Sequence, residues 1–189
     1  MKFSSSAFLV AATFLSSHAM ADGLRQEVSV PLTGEYDSNP QMVSGGASAY
    51  RARVAPQYTL TNVSGANEVA LSLGAVIERS SNQAVSQDRN DPNASLGWKH
   101  LTPTSEFNLN ARYLDESARA AELRQAGVVV SDTTRTTKGV AARWTSLLTE
   151  RLNYTLGAFY SAITYADNDP VLIDYNTYGG RFTLGYQIS

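Results

Sequence analysis

Eight segments of this chain alternate apolar and polar residues with a period of two, and this alternation constrains the fold more than any other feature. The segments span residues 28–37, 50–60, 69–78, 94–99, 107–114, 139–145, 152–162 and 180–188. Because successive side chains of a β-strand point to opposite faces, the pattern predicts strands with one apolar and one polar face. The sequence therefore predicts an all-β protein.

The connections between these segments alternate strictly between long and short. The short ones contain "NVSGAN", "LTPTS" and "LLTE", and the long ones include "SNPQMVSGGAS", "RSSNQAVSQDRNDP" and "ADNDPVLIDYN". An antiparallel up-and-down transmembrane β-barrel sorts its connections in this way, with tight turns at one mouth and exposed loops at the other. A soluble β-sandwich predicts the same alternation but does not sort its loops by length. We therefore expect an eight-stranded barrel in this chain.

The composition of the two predicted faces favours the same fold. The apolar face is rich in aromatic residues, with Tyr36, Tyr50 and Tyr113 near strand ends, where the aromatic girdles of membrane barrels lie. The polar face carries many small residues, which leave room inside a closed barrel. The interior of such a barrel is the expected location of the polar face.

The first 21 residues have the pattern of a signal peptide. Lys2 precedes an apolar run from Phe8 to Leu15, and Ala19-Met20-Ala21 matches an A-x-A cleavage site. We expect export through the Sec pathway, with residues 22–189 forming an outer-membrane β-barrel domain. Without Lys2, 14 basic and 17 acidic residues remain, a formal charge of −3. This balance lacks the excess of basic residues that is typical of nucleic-acid-binding proteins.

A layer of charged residues is predicted on the lumen face near the outer mouth. If the lumen holds water, the layer is a filter that selects solutes by charge, and its arginines favour anions. In the alternative interpretation it is a structural network in which neighbouring charges neutralise one another. The layer comprises Glu35, Asp37, Arg51, Arg53, Glu78 and Arg112, with Arg181 a little lower.

The outer loops supply candidate contacts for divalent ions, either Ca²⁺ or the ions that bridge lipopolysaccharide. The candidates are Asp88, Asp91, Asp167 and Asp169. Asp and Asn are also ordinary turn residues, so plain loops are the competing interpretation.

Catalytic chemistry has little support in the sequence. His100 is the only histidine after residue 21, and Ser105 and Glu106 are its nearest candidate partners. The chain has no cysteine and no nucleotide-binding motif. We predict no enzyme activity, no cofactor and no resident metal.

Two stretches resemble a known family. "GEYDSNP" and "ERSSNQAVSQDRNDPNASLGW", from Glu78 to Trp98, are similar to porin-like outer-membrane β-barrel proteins found near exopolysaccharide-export or exosortase (PEP-CTERM) loci of Gram-negative bacteria. The resemblance implies outer-membrane lipids, lipopolysaccharide and the barrel-assembly machinery as partners, with polysaccharide or small polar solutes as candidate cargo. Members of that family are about twice as long. We therefore expect this chain to be the N-terminal half of a larger barrel.

The function expected from these features is that of a passive porin-like protein. Eight closed strands give an interior that side chains just fill, whereas sixteen leave an aqueous channel. The alternative is accordingly a small non-conducting barrel with a structural or surface-interaction role.

Overall fold

A computed structural model describes residues 23–40, 44–121, 133–166 and 172–188. These residues form one antiparallel sheet of ten strands, with a short helical turn at 118–121. The strands are β1 (Leu24–Ser29), β2 (Leu32–Asp37), β3 (Ala49–Val54), β4 (Gln57–Ser64), β5 (Asn67–Ser80), β6 (Arg89–Leu101), β7 (Ser105–Ser117), β8 (Thr134–Leu147), β9 (Leu152–Tyr165) and β10 (Tyr175–Tyr186). None of the helices in these ranges is long and apolar enough to cross a membrane. The predicted signal peptide lies outside the described residues.

The ten strands correspond to the eight predicted segments, because two segments are broken by proline. Pro31 separates β1 from β2, and Pro56 separates β3 from β4. Proline has no backbone donor, so it interrupts a ladder of hydrogen bonds. At the break the Ala55 amide donates to the Pro31 carbonyl at 3.0 Å, which holds the two broken strands together. The prediction of an all-β antiparallel fold is confirmed.

The strands pair mostly with their neighbours in sequence. The order is β1-β4-β5-β6-β7-β8-β9-β10, while β3 pairs with both β2 and β5. Among the described residues β1 and β2 form one edge of the sheet and β10 forms the other, so the sheet is open. The alternation of long and short connections is present, with 65–66, 102–104 and 148–151 as the short turns. We call this end of the sheet the short-turn end and the opposite one the long-loop end.

Several strands are longer than their alternating segments. β6 begins at Arg89 rather than at residue 94, and β10 begins at Tyr175 rather than at Gly180. Backbone hydrogen bonds do not depend on side-chain polarity, so the ladder continues through polar residues such as Asn176, which pairs with Ala162. The side-chain pattern marks only the part of a strand where the two faces differ.

The register separates the two faces along the whole sheet. Residues directly opposite each other on adjacent antiparallel strands share a face. One row on the apolar face runs across Leu71, Leu96, Ala111, Val140, Tyr160 and Tyr178. The next residue along each strand gives a row on the polar face, which runs across Ser72, Ser95, Arg112, Gly139, Ser161 and Thr177.

Burial in this sheet is the inverse of that in an ordinary water-soluble domain. Large apolar side chains are exposed on the apolar face, among them Phe182 at 65% and Tyr178 at 79%. Charged side chains are buried on the polar face, with Glu78 at 5% and Arg135 at 3%. The buried hydrophobic residues among those described are few, mostly small, and lie at the long-loop end: Ala49, Val85, Ala118, Ala121 and Ile163.

Candidate functional site: the charged polar face

The strand pairing of β2, β3 and β5 gathers charges at the long-loop end of the polar face. Glu35 lies directly opposite Arg51, and Arg53 lies opposite Glu78. Arg51 Nη2 is 2.8 Å from Glu35 Oε1 and 3.4 Å from Asp37 Oδ2. One guanidinium therefore serves two carboxylates on the neighbouring strand.

Glu78 is the most buried carboxylate of this group. Its Oε2 accepts hydrogen bonds from Arg53 Nε at 3.0 Å and from Arg53 Nη2 at 2.5 Å. Its Oε1 lies 4.0 Å from Arg51 Nη1. The charge-assisted bonds offset the cost of removing this carboxylate from water.

A second ion pair continues the charges onto β6. Arg89 Nε is 2.9 Å from Asp91 Oδ2, and Arg89 Nη2 donates to Asp91 Oδ1 at 3.0 Å. Arg89 also donates to Thr134 Oγ1 at 3.2 Å, which connects β6 to β8. We call these seven residues the charge network: Glu35, Asp37, Arg51, Arg53, Glu78, Arg89 and Asp91.

The connections at this end cover the charge network. Arg119, in the helical turn 118–121, donates to the carbonyl of Val85 at 3.2 Å and to that of Pro40 at 3.3 Å. The network and this cover line a partly open cavity of about 470 Å³. Six carboxylates and four guanidiniums line this cavity, so its formal charge is negative.

The other predicted arginines lie apart from the network. Arg112 is in β7 over Gly139, and Arg181 is in β10 toward the short-turn end. The register places Arg181 opposite Gly157, and Gly157 opposite Arg143 of β8. The predicted layer is thus divided: the structure joins Glu35, Asp37, Arg51, Arg53 and Glu78, but not Arg112 or Arg181.

Three of these charged residues lie outside the layer that the sequence predicts: Arg89, Asp91 and Arg143. The sequence predicts Arg89 and Asp91 in a loop, although both lie in β6, where Asp91 is buried. Arg143 was on a predicted polar face but at a different height from the layer. Only the pairing of β8, β9 and β10 brings it into line with Arg181.

The candidate divalent-ion contacts are dispersed. Asp88 Oδ1 accepts from the Ser80 amide at 2.9 Å, as a turn residue does, and Asp91 is paired with Arg89. Asp167 and Asp169 lie outside the described residues. In the described part of the chain no three metal-ligating side chains come together.

His100 lies on the apolar face and has no hydrogen bond to either candidate partner among the described residues. Its Nδ1 is 2.9 Å from Asn67 Oδ1. Glu106 is opposite Leu101 and hence on the polar face, and Ser105 Oγ contacts Thr102 Oγ1 at 2.7 Å. The geometry does not align these three side chains for proton transfer.

The apolar face has an ordered distribution of aromatic residues. Tyr36 and Tyr50 pack at the long-loop end with ring centroids 4.8 Å apart. At the short-turn end the register aligns Phe107 with Trp144, and Phe182 lies two strands further along the same row. Aliphatic residues such as Leu71, Leu96 and Val140 lie between these ends, whereas the same row carries Tyr160 and Tyr178 on β9 and β10. Aromatic residues thus form a band toward each end of the strands, and the aliphatic zone between the bands is confined to β5 to β8.

Comparison of the chain with protein-family models, with curated proteins and with solved structures finds no match.

Proposed function

We propose that this chain forms the wall of an outer-membrane β-barrel and acts as a passive porin-like protein in the bacterial envelope. The observation that carries the proposal is the inverted burial: most of the exposed aromatic and aliphatic side chains lie on one face, whereas most of the charges, including the buried ones, lie on the other. Exposed apolar surface of this extent marks contact with a membrane or a partner. The two aromatic bands around an aliphatic zone favour a membrane, because barrels place such bands at both interfaces.

The polar groups of the apolar face support this assignment. Lys138 Nζ is 5.9 Å from the centre of the Tyr113 ring, and the Tyr113 hydroxyl donates to Asp115 at 2.9 Å. These residues lie toward the long-loop end of β7 and β8, where headgroups and water would satisfy them. The row that runs from Leu71 to Tyr178 carries no charged side chain.

The edges of the sheet require a partner strand in this setting. Unpaired backbone groups of β1, β2 and β10 would be costly in hydrocarbon, so a membrane barrel must pair them. Pairing of β10 with β1 and β2 of the same chain gives a small barrel, and additional strands give a wider one. The family resemblance favours the wider barrel and the envelope or polysaccharide-export context.

A small non-conducting barrel with a structural or surface-interaction role is the second candidate. It is favoured by the covering connections, because Val85, Ala118 and Ala121 are buried over the charge network at the long-loop end. A barrel filled by such residues would not pass solutes.

Conductance distinguishes the two candidates. The protein would be purified from outer membranes and reconstituted into planar lipid bilayers, and its ion current recorded together with its native mass. Discrete conductance steps are expected for the porin-like function. A protein that inserts, as shown by protection of its strands from protease, but passes no current would leave only the small barrel.

A further inference from the structure

The two arginines at the short-turn end are arranged differently from the arginines of the charge network, which face carboxylates. Arg143 and Arg181 lie on strands either side of β9, and the residue between them in the register is Gly157. Strands are about 4.8 Å apart, so the two backbones are about 10 Å apart across the glycine. Two long side chains attached at this spacing can converge on one small group above Gly157.

Neither guanidinium is neutralised. Within the described residues Arg143 and Arg181 form no ion pair and no hydrogen bond. The nearest carboxylate on the same face is that of Glu106, a diagonal neighbour of Arg143. It accepts from Asn108 Nδ2 at 2.7 Å and lies 3.9 Å from Lys99 Nζ. The carboxylate therefore has closer partners, and Arg143 interacts with it only at longer range.

The space between the arginines is open and has hydroxyl groups. A side-chain carbon added at Gly157 would meet only the Ala142 carbonyl, at 3.8 Å. A cavity of about 300 Å³ lies here, lined by Arg143, Thr155, Gly157, Arg181 and Thr183. Guanidinium forks and hydroxyls are donors that suit the oxygens of a tetrahedral anion.

We infer that Arg143 and Arg181, with Thr155 and Thr183, form a binding site for a phosphate or sulfate group. The two forks hold the charge, and the Thr183 hydroxyl donates to a remaining oxygen. The Thr155 hydroxyl, 3.0 Å from Thr145 Oγ1, donates to the anion when Thr145 is the donor of that pair. The absence of a side chain at position 157 leaves room for the group. The inference deepens the proposed function by naming an anionic solute or ligand. It rests on the proposed function in one respect: the polar face must be in contact with water, so that an anion can reach the site.

The test is calorimetric titration of the full chain in detergent micelles at low ionic strength. The probes are inorganic sulfate, inorganic phosphate and glucose 6-phosphate. The wild-type protein is expected to bind saturably, and R143Q/R181Q is expected to bind at least about tenfold more weakly. The control R25Q/R151Q removes the same number of charges at exposed positions outside the cavity and is expected to bind within about twofold of wild type.

Two results would overturn the inference: no saturable binding to the wild-type protein, or equal weakening in R143Q/R181Q and R25Q/R151Q. The second would mean a general effect of net charge. If R143Q/R181Q does not fold, G157E replaces it, because its carboxylate would occupy the gap, with G157Q as its neutral control. Binding of sulfate and phosphate identifies the site as one for free ions, whereas binding of glucose 6-phosphate alone identifies it as one for the group on a sugar.

Failure of this inference and failure of the proposed function are separable. Binding in micelles does not require a conducting pore, so binding with a silent bilayer contradicts only the porin-like function. A conducting protein without saturable binding contradicts only the anion site.

Discussion

The two ends of the polar face use arginine in opposite ways. At the long-loop end each guanidinium of the charge network is ion-paired with a carboxylate, and the side chains of Glu78, Arg89 and Asp91 are largely buried. At the short-turn end Arg143 and Arg181 face each other across a glycine, exposed and without a carboxylate of their own. Buried charges depend on their partners, because removing one partner leaves the other uncompensated, whereas unpaired charges in water remain available to a ligand. Structural and binding roles are thus separated along the strands.

The largest loss of stability is expected from removing the carboxylate of Glu78 at the centre of the charge network. Glu78→Ala leaves Arg53 and Arg51 facing a buried gap, and we expect it to lower the free energy of unfolding by about 3 kcal/mol. The matched control is Glu27→Ala, which removes an exposed pair with Arg25 and should cost less than about 0.5 kcal/mol. Urea unfolding in micelles, followed by the fluorescence of Trp98 and Trp144, measures both. Equal losses in the two variants would show that the network is not structural.

A smaller change in stability is expected from adding a carboxylate at the short-turn end, where the arginines have no ion pair. Gly157→Glu places a carboxylate between Arg143 and Arg181, and we expect it to stabilise the protein by up to about 1 kcal/mol relative to Gly157→Gln. The glutamine control has the same side-chain length, so the comparison isolates the charge. A glutamate variant no more stable than the glutamine variant would mean that the two arginines do not converge above position 157.

The smallest effect is expected from removing the arginine pair. R143Q/R181Q should unfold within about 0.5 kcal/mol of the wild-type protein, because exposed unpaired charges contribute little to folding. The same urea titration measures it. A loss comparable to that of Glu78→Ala would place these arginines in the structural network and remove the contrast between the two ends.

Much of the fold could be predicted from sequence because alternation reports directly on strand faces. The eight segments, the sorted connections and the assignment of Glu35, Asp37 and Arg51 to one face all follow from a period of two. The breaks at Pro31 and Pro56 were less apparent, since apolar residues alternate across both prolines. The absence of a backbone donor interrupts the ladder without changing the side-chain pattern.

The division of the charged layer could not be predicted from sequence. Arg143 and Arg181 are far apart in the chain, and only the register through Gly157 aligns them. The burial of Asp91 likewise depends on connections packing over the long-loop end, and loop packing has no periodic signal. Sequence pattern locates faces, whereas pairing and burial determine which charges meet.

The most direct test of the account is whether the apolar face contacts lipid and the polar face contacts water. The chain has no cysteine, so single cysteines for spin labels can be introduced along β9 without background. The apolar-face positions are Leu156, Ala158 and Tyr160, and the polar-face positions are Thr155, Gly157 and Ser161. In reconstituted vesicles, collision rates with oxygen, which partitions into lipid, and with a water-soluble nickel chelate would be measured at each position.

If the apolar face contacts lipid, we expect a period-two alternation of opposite phase for the two reagents. Oxygen collisions should be highest at Leu156, Ala158 and Tyr160, and nickel collisions should be highest at the other three positions. Equal nickel collisions on both faces, or oxygen collisions highest on the polar face, would contradict it.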